Sequence, residues 1–211
     1  MRKAILFDQD GTLLDSAPGI KRCANFPLEK LAYPLIPYKE LDFFIGPPLK
    51  ECFRLSGVKD EDLEEAIRIF RGEYESKGGF EAYVYPDVEK TLQELKSRGH
   101  RLFVCTCKIQ TTSGPILSKF GLRSYFDGIY GVSRDGSVST KSQVIKACLR
   151  NESLGIEAIM VGDTELDVLG AKENGIPCLA ADYGYGDKKK LREAGPIGHL
   201  ARFSDLLNCF D

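Results

Sequence analysis

From residue 86 to residue 180 the chain alternates short apolar runs with amphipathic stretches, and this alternation restricts the fold more than any other feature. Segments 101–106, 128–132, 157–161 and 177–180 have the length and apolar character of buried strands. Between them, 87–98, 112–120, 140–150 and 164–174 read as helices, and Gly99, Gly121 and Gly175 mark the ends of three. Another apolar run, Ala4-Ile5-Leu6-Phe7, precedes them all and lacks in–out alternation, as expected of a strand covered on both faces. Strands that alternate with helices predict right-handed crossovers and an α/β fold with a parallel sheet. Ligands of such sheets bind beyond the carboxyl ends of the strands.

The stretch between the first run and residue 86 differs. Residues 17–80 carry helical periodicity and almost no strand signal, with candidate helices at 40–44, 48–55 and 60–76. The last has Leu63, Ile67 and Phe70 at helical spacing. The expected organisation is a core of residues 1–15 and 84–211 with a small helical insert, 16–83. Lys77-Gly78-Gly79 closes the insert and reads as a flexible joint.

The polar residues of interest fall at predicted strand ends. Ala4 to Phe7 stops at Asp8-Gln9-Asp10-Gly11-Thr12. In an extended segment Asp8 and Asp10 project to one side and Gln9 away from them, so two carboxylates share a small space. Their repulsion calls for compensation, most simply by a hard divalent cation. The second core strand ends at Thr106, the fourth at Gly162-Asp163, and Lys141 opens a helix behind Ser139 and Thr140. If the sheet is parallel, Asp8, Asp10, Thr106, Lys141 and Asp163 converge at one edge, a set able to hold both a cation and a phosphate. Asp167, four residues beyond Asp163, reaches the same region from the first turn of its helix. Taken singly, Asp163 and Asp167 are ordinary helix-start acids, and a lone Lys141 is a solvated helix residue; the shared strand-end pattern argues against that.

Composition sets limits. At 211 residues the chain can bury a sizeable core. A formal net charge of −2 offers no basic field for nucleic acid, and no apolar run has the length of a membrane span. A cytoplasmic protein with reduced thiols is expected, because the seven cysteines are odd in number and scattered. Cys105 and Cys107 read as buried strand residues, Lys188 to Lys190 as a solvated charge run, and His100 and His199 as residues of surface turns. There is no P-loop and no support for a histidine triad.

Asp8-Gln9-Asp10-Gly11-Thr12, Thr106, Lys141 and Gly162-Asp163-Thr164-Glu165-Leu166-Asp167, in that order, resemble the four motifs of the haloacid dehalogenase superfamily. Phe44-Ile45-Gly46-Pro47-Pro48-Leu49, Gly131-Val132-Ser133 and Tyr183-Gly184-Tyr185-Gly186 are similar to segments of its phosphoglycolate phosphatase-like branch. The resemblance implies a Rossmann-like core with an inserted all-helical cap, and a Mg²⁺-dependent phosphatase of small phosphorylated metabolites, monomeric or a weak homodimer. Asp8 would be the nucleophile and Asp10 the acid and base. Mg²⁺ would be held by Asp8, the Asp10 carbonyl and Asp163, with Asp167 behind them. Thr106 and Lys141 would take the phosphoryl oxygens, and Gly46 and Pro47 would help read the leaving group. Two departures stand out: Gln9 replaces a usual apolar residue, and Cys107-Lys108 follow Thr106 where Ser or Asn is frequent. Thr12 disfavours a phosphomutase, and Asp10 a dehalogenase. A non-catalytic phosphorylatable or metabolite-binding module needs neither Asp10 nor a cap.

Overall fold

The computed structural model describes residues 3–155 and 157–210. Its strands are β1 (Ala4–Phe7), β2 (Leu14–Asp15), β3 (Tyr83–Val84), β4 (Arg101–Ile109), β5 (Gly128–Val132), β6 (Ala158–Gly162), β7 (Cys178–Ala181) and β8 (Gly198–Leu200). Its helices are α1 (Ala17–Lys30), α2 (Leu49–Leu55), α3 (Leu63–Ser76), α4 (Val88–Ser97), α5 (Gln110–Lys119), α6 (Lys141–Asn151), α7 (Glu165–Glu173) and α8 (Lys188–Ala194). The chain divides into two compact units, one of residues 1–14 and 84–211, the other of residues 15–83.

In the first unit a six-stranded sheet has the order β5-β4-β1-β6-β7-β8, with every pairing parallel. β1 is central: Ala4 lies opposite Arg101 on one side and Ala158 on the other, and Phe7 opposite Val104 and Val161. All four of its residues are buried, because each face of the sheet is covered. Ala4 and Leu6 join a core layer with Phe103, Val144, Met160 and Val168, to which α6 and α7 contribute. Phe7 faces the other layer, its ring 6.1 Å from that of Phe126 and 5.7 Å from that of Phe203. The α/β fold with a parallel sheet is therefore as the alternation predicts.

Several local expectations are corrected. β4 does not stop at Thr106 but continues to Ile109 across a register slip opposite β5. The sheet does not end with the strand at 178–181, since β8 adds an edge. The 188–190 charge run, by contrast, is solvated as expected: it is the first turn of α8 with Lys189 and Lys190 exposed, and the amides of those two residues donate to the Asp187 carboxylate. His100 is buried with its ring tilted against that of Phe210, and its Nδ1 accepts from the Lys3 amide. Cys105 is buried as expected, but Cys107 is exposed.

The second unit is helical. α1 packs against α3, and a run of rings, Phe43, Phe44, Phe53, Phe70 and Tyr74, links the 3-10 turn Tyr38–Phe44 to α2 and α3. The glycines at its end are not a loose joint. Gly78 and Gly79 are buried in a 3-10 turn, and a Cβ on Gly78 would stand 2.3 Å from Cys23 Sγ. Glycine is there for close approach to α1, not for freedom. β2 and β3, where the chain leaves and re-enters the first unit, pair as a two-stranded ribbon. Among the described residues no helix is long and apolar enough to cross a membrane.

Candidate active site

The end of β1 fixes Asp8. Its amide donates to the Val161 carbonyl (2.9 Å), so the sheet's own pairing holds the residue at the point where the strand stops. Gly11 then turns the chain at φ +77, a conformation that favours glycine, and the Leu13 and Leu14 amides return to the Gln9 carbonyl. Gln9 is buried on the far side of the strand, where Oε1 accepts from Ser113 Oγ at 2.5 Å. Asp163 follows β6 in the same way, and Asp167 lies in the first turn of α7, its Oδ2 accepting from the Thr164 amide (3.0 Å) and hydroxyl (2.9 Å). Lys141 is the first residue of α6. Thr140 caps that helix by accepting from the Gln143 amide at 3.2 Å, while Gln143 Oε1 accepts from the Thr140 amide.

These residues come together. Carboxylate oxygens of Asp8, Asp163 and Asp167 lie within 4.8 Å of one another, all three side chains buried. Lys141 Nζ sits 2.8 Å from Asp8 Oδ1, 2.8 Å from Asp167 Oδ1 and 3.1 Å from the Cys105 carbonyl, to which it donates. The Asp167 contact is an ion pair without well-aligned hydrogen-bond geometry. Asp163 Oδ2 accepts from the Tyr185 amide (2.8 Å), and the Thr12 hydroxyl lies 3.4 Å from Oδ1.

Charge explains the rest. Burial pushes the Asp8 carboxyl up to about 6, with Lys141 pulling it down and Asp167 and Asp10 raising it. Burial pushes Asp163 up to about 8, reinforced by Asp167 and Asp8. Burial opposes the Lys141 charge too, but Asp167 and Asp8 outweigh it and hold the ammonium well above the usual lysine range. Buried carboxylates this close, two of them reluctant to ionise, form a donor set that suits a hard divalent cation.

Thr106 is buried in the irregular part of β4, and the Lys108 amide donates to its hydroxyl at 3.2 Å. Asp10 is placed beside the cluster but its carboxylate pairs with Lys108, Nζ to Oδ2 2.9 Å. Gly46, at φ +104, and Pro47 belong to the other unit, between the 3-10 turn and α2.

Residues to which the motifs gave no role complete the site. Lys108 appeared only as a departure from a motif. Tyr183 donates its hydroxyl to the Thr12 carbonyl (2.9 Å), tying the loop after β7 to the loop after β1. A Cβ on Gly184 would stand 2.3 Å from that of Asp163 and 2.4 Å from the Gly11 carbonyl, so glycine lets these loops meet. The Tyr-Gly-Tyr-Gly run at 183–186 was the available signal.

A family profile described as haloacid dehalogenase-like hydrolase matches residues 5–181. A 5'-nucleotidase of Pseudomonas aeruginosa is 35% identical over 204 residues, spanning 96% of this chain and 92% of that protein. A phosphoglycolate phosphatase of Aquifex aeolicus is 32% identical over 99% of this chain and 97% of its own length. Among solved structures, Mycobacterium tuberculosis Protein Tyrosine Kinase A is 32% identical, with a TM-score of 0.84 over 99% of this chain and 97% of that one.

Proposed function

The chain belongs to the haloacid dehalogenase-like hydrolases, and from that premise we propose that it is a Mg²⁺-dependent phosphatase of small phosphomonoesters, nucleotide-like or phosphoglycolate-like. The observation that carries this reading is Asp8 at the end of the central strand, 2.8 Å from Lys141 and clustered with Asp163 and Asp167.

Asp8 Oδ1 is engaged by Lys141 and by the Gln9 amide at 2.7 Å, so we assign Oδ2 to the attack on phosphorus. Attack forms the Asp8–phosphorus bond as the ester P–O bond breaks, and Asp10 gives its proton to the departing oxygen. Water then attacks the aspartyl-phosphate, Asp10 takes its proton, and inorganic phosphate leaves Asp8 free. Mg²⁺, held by Asp8, Asp163 and the Asp10 carbonyl, would supply the positive charge that lets a phosphate dianion approach a carboxylate. Asp167 keeps Lys141 in place, and Thr106 donates to a phosphoryl oxygen. Residues 15–83, including Gly46 and Pro47, we assign to reading the leaving group. Asp10 and Thr12 favour this reading over a phosphomutase or a non-catalytic module.

The experiment is Mg²⁺-dependent phosphate release from a panel of nucleoside monophosphates and 2-phosphoglycolate by the wild type and Asp8→Asn. The wild type should release phosphate and the folded variant none, because an amide cannot serve as the anionic nucleophile. Substantial turnover by folded Asp8→Asn would remove Asp8 from that role. Isomerised substrate without free phosphate would mark a mutase, and phosphorylation of a tyrosine peptide from ATP would mark the acceptor named for the mycobacterial neighbour.

A further inference from the structure

The cation expected to meet the phosphate is already occupied. An ammonium has three N–H donors, and three oxygens surround that of Lys141: Asp8 Oδ1, Asp167 Oδ1 and the Cys105 carbonyl, all within 3.1 Å. Its side chain is only 3% exposed. Lys141 thus offsets buried carboxylates. Moving it onto a phosphate would strip Asp167 of its counter-charge, which is costly for a fully buried acid.

Lys108 is differently placed. Its Nζ lies 2.9 Å from Oδ2 of Asp10, the residue that exchanges a proton with the leaving oxygen, and its side chain is 9% exposed. Its amide donates to the hydroxyl of Thr106, which is assigned to a phosphoryl oxygen. The register slip between Thr106 and Ile109 is the stretch in which the Lys108 amide turns back to the Thr106 hydroxyl. A long cationic side chain is thereby rooted beside the phosphate-binding hydroxyl and ends beside the acid and base. Asp8, Asp10, Asp163 and Asp167 meet two lysines here, 108 and 141. One is committed to the nucleophile and Asp167.

We propose that Lys108 is a catalytic residue that binds the substrate phosphate, bridging a non-ester phosphoryl oxygen and the Asp10 carboxylate. This assignment rests on the phosphatase reading above and deepens it. Lys141 then acts as a positioning residue for Asp8, and the two lysines divide work that a single cation would otherwise share. A lysine suits the bridge, because a flexible stem lets a point charge follow the phosphate as bonds change at phosphorus.

The test is calorimetric titration of inorganic phosphate in the presence of Mg²⁺, with kcat and KM for a phosphomonoester, on the wild type, Lys108→Met, Lys108→Gln and Lys108→Arg. Lys108→Met and Lys108→Gln should weaken phosphate binding about tenfold or more, the loss expected for one charge-assisted hydrogen bond. Lys108→Arg should restore most of it. If Lys108 merely held Asp10 in place, kcat would fall while the phosphate Kd stayed at the wild-type value, and that result overturns the proposal. Lys108→Gln keeps the polarity and much of the length of the side chain, so the comparison survives if Lys108→Met does not fold. A wild type that binds phosphate but hydrolyses no ester defeats the phosphatase reading and with it Lys108 as a catalytic residue, and weaker phosphate binding by the variants would then leave Lys108 a phosphate-binding residue only. An active wild type with unchanged phosphate affinity in the variants overturns the Lys108 assignment and keeps the phosphatase reading, and a wild type that neither binds phosphate nor hydrolyses an ester overturns both.

Discussion

The substitution Lys141→Met removes the charge shared by Asp8 and Asp167 and leaves two buried carboxylates facing each other. Breaking such a pair costs about 3–5 kcal/mol, so urea unfolding without added metal should show a loss of that order. A midpoint within experimental error of the wild type would mean that the acids protonate or hydrate at little cost. The same carboxylates set a pH dependence. Folded-state values of about 6 for Asp8 and about 8 for Asp163 lie above the ordinary 3.8. The folded chain therefore binds more protons than the unfolded one between about pH 4 and pH 8, and metal-free stability falls as pH rises through that window. Mg²⁺ competes with those protons, so it should raise Tm by about 4 °C or more at pH 8 and by less at pH 5. Equal shifts at both pH values, or none, would count against a metal held by these acids.

At the scale of elements, helix starts carry the chemistry. Thr140 caps α6 one residue before Lys141, and Thr140→Ala should cost about 1 kcal/mol and lower kcat by loosening Lys141. Unchanged stability and kcat would show that the neighbouring Ser139 and Gln143 suffice. The strands and most core helices were legible because apolar runs and glycine stops act locally. α1 was not, since Pro18, Gly19 and Pro27 read as breakers. Pro18 lies in the first turn, where amides have no intrahelical partner, and Pro27 lies inside the helix, where it removes one amide hydrogen bond without ending it. β8 was too short to register, and the role of Gly78 depends on a sulfur 55 positions earlier in sequence, at Cys23, which periodicity does not reveal. Asp8, Asp163 and Lys141 stood at recognisable element ends, whereas the Lys108 pairing depends on a register slip that no local pattern encodes.

For the molecule as a whole, the two units invite separate tests. If residues 15–83 read the leaving group, replacing them with the matching segment of a relative should reorder KM values among phosphomonoesters while leaving phosphate affinity near the wild-type value. An unchanged order of preference would place substrate choice within the first unit. The sheet order has a different consequence, for synthesis. β1 carries Asp8 and is flanked by β4 and β6, so it is made before either neighbour. At roughly 5–20 residues per second, the interval before β6 is complete lasts on the order of ten seconds. Throughout it, an apolar strand with two open edges has no partner on one side at least. A nascent chain of this design leaves its central, wholly apolar strand unpaired longest, and a ribosome-associated chaperone that covers that strand would protect the nucleophile's own support.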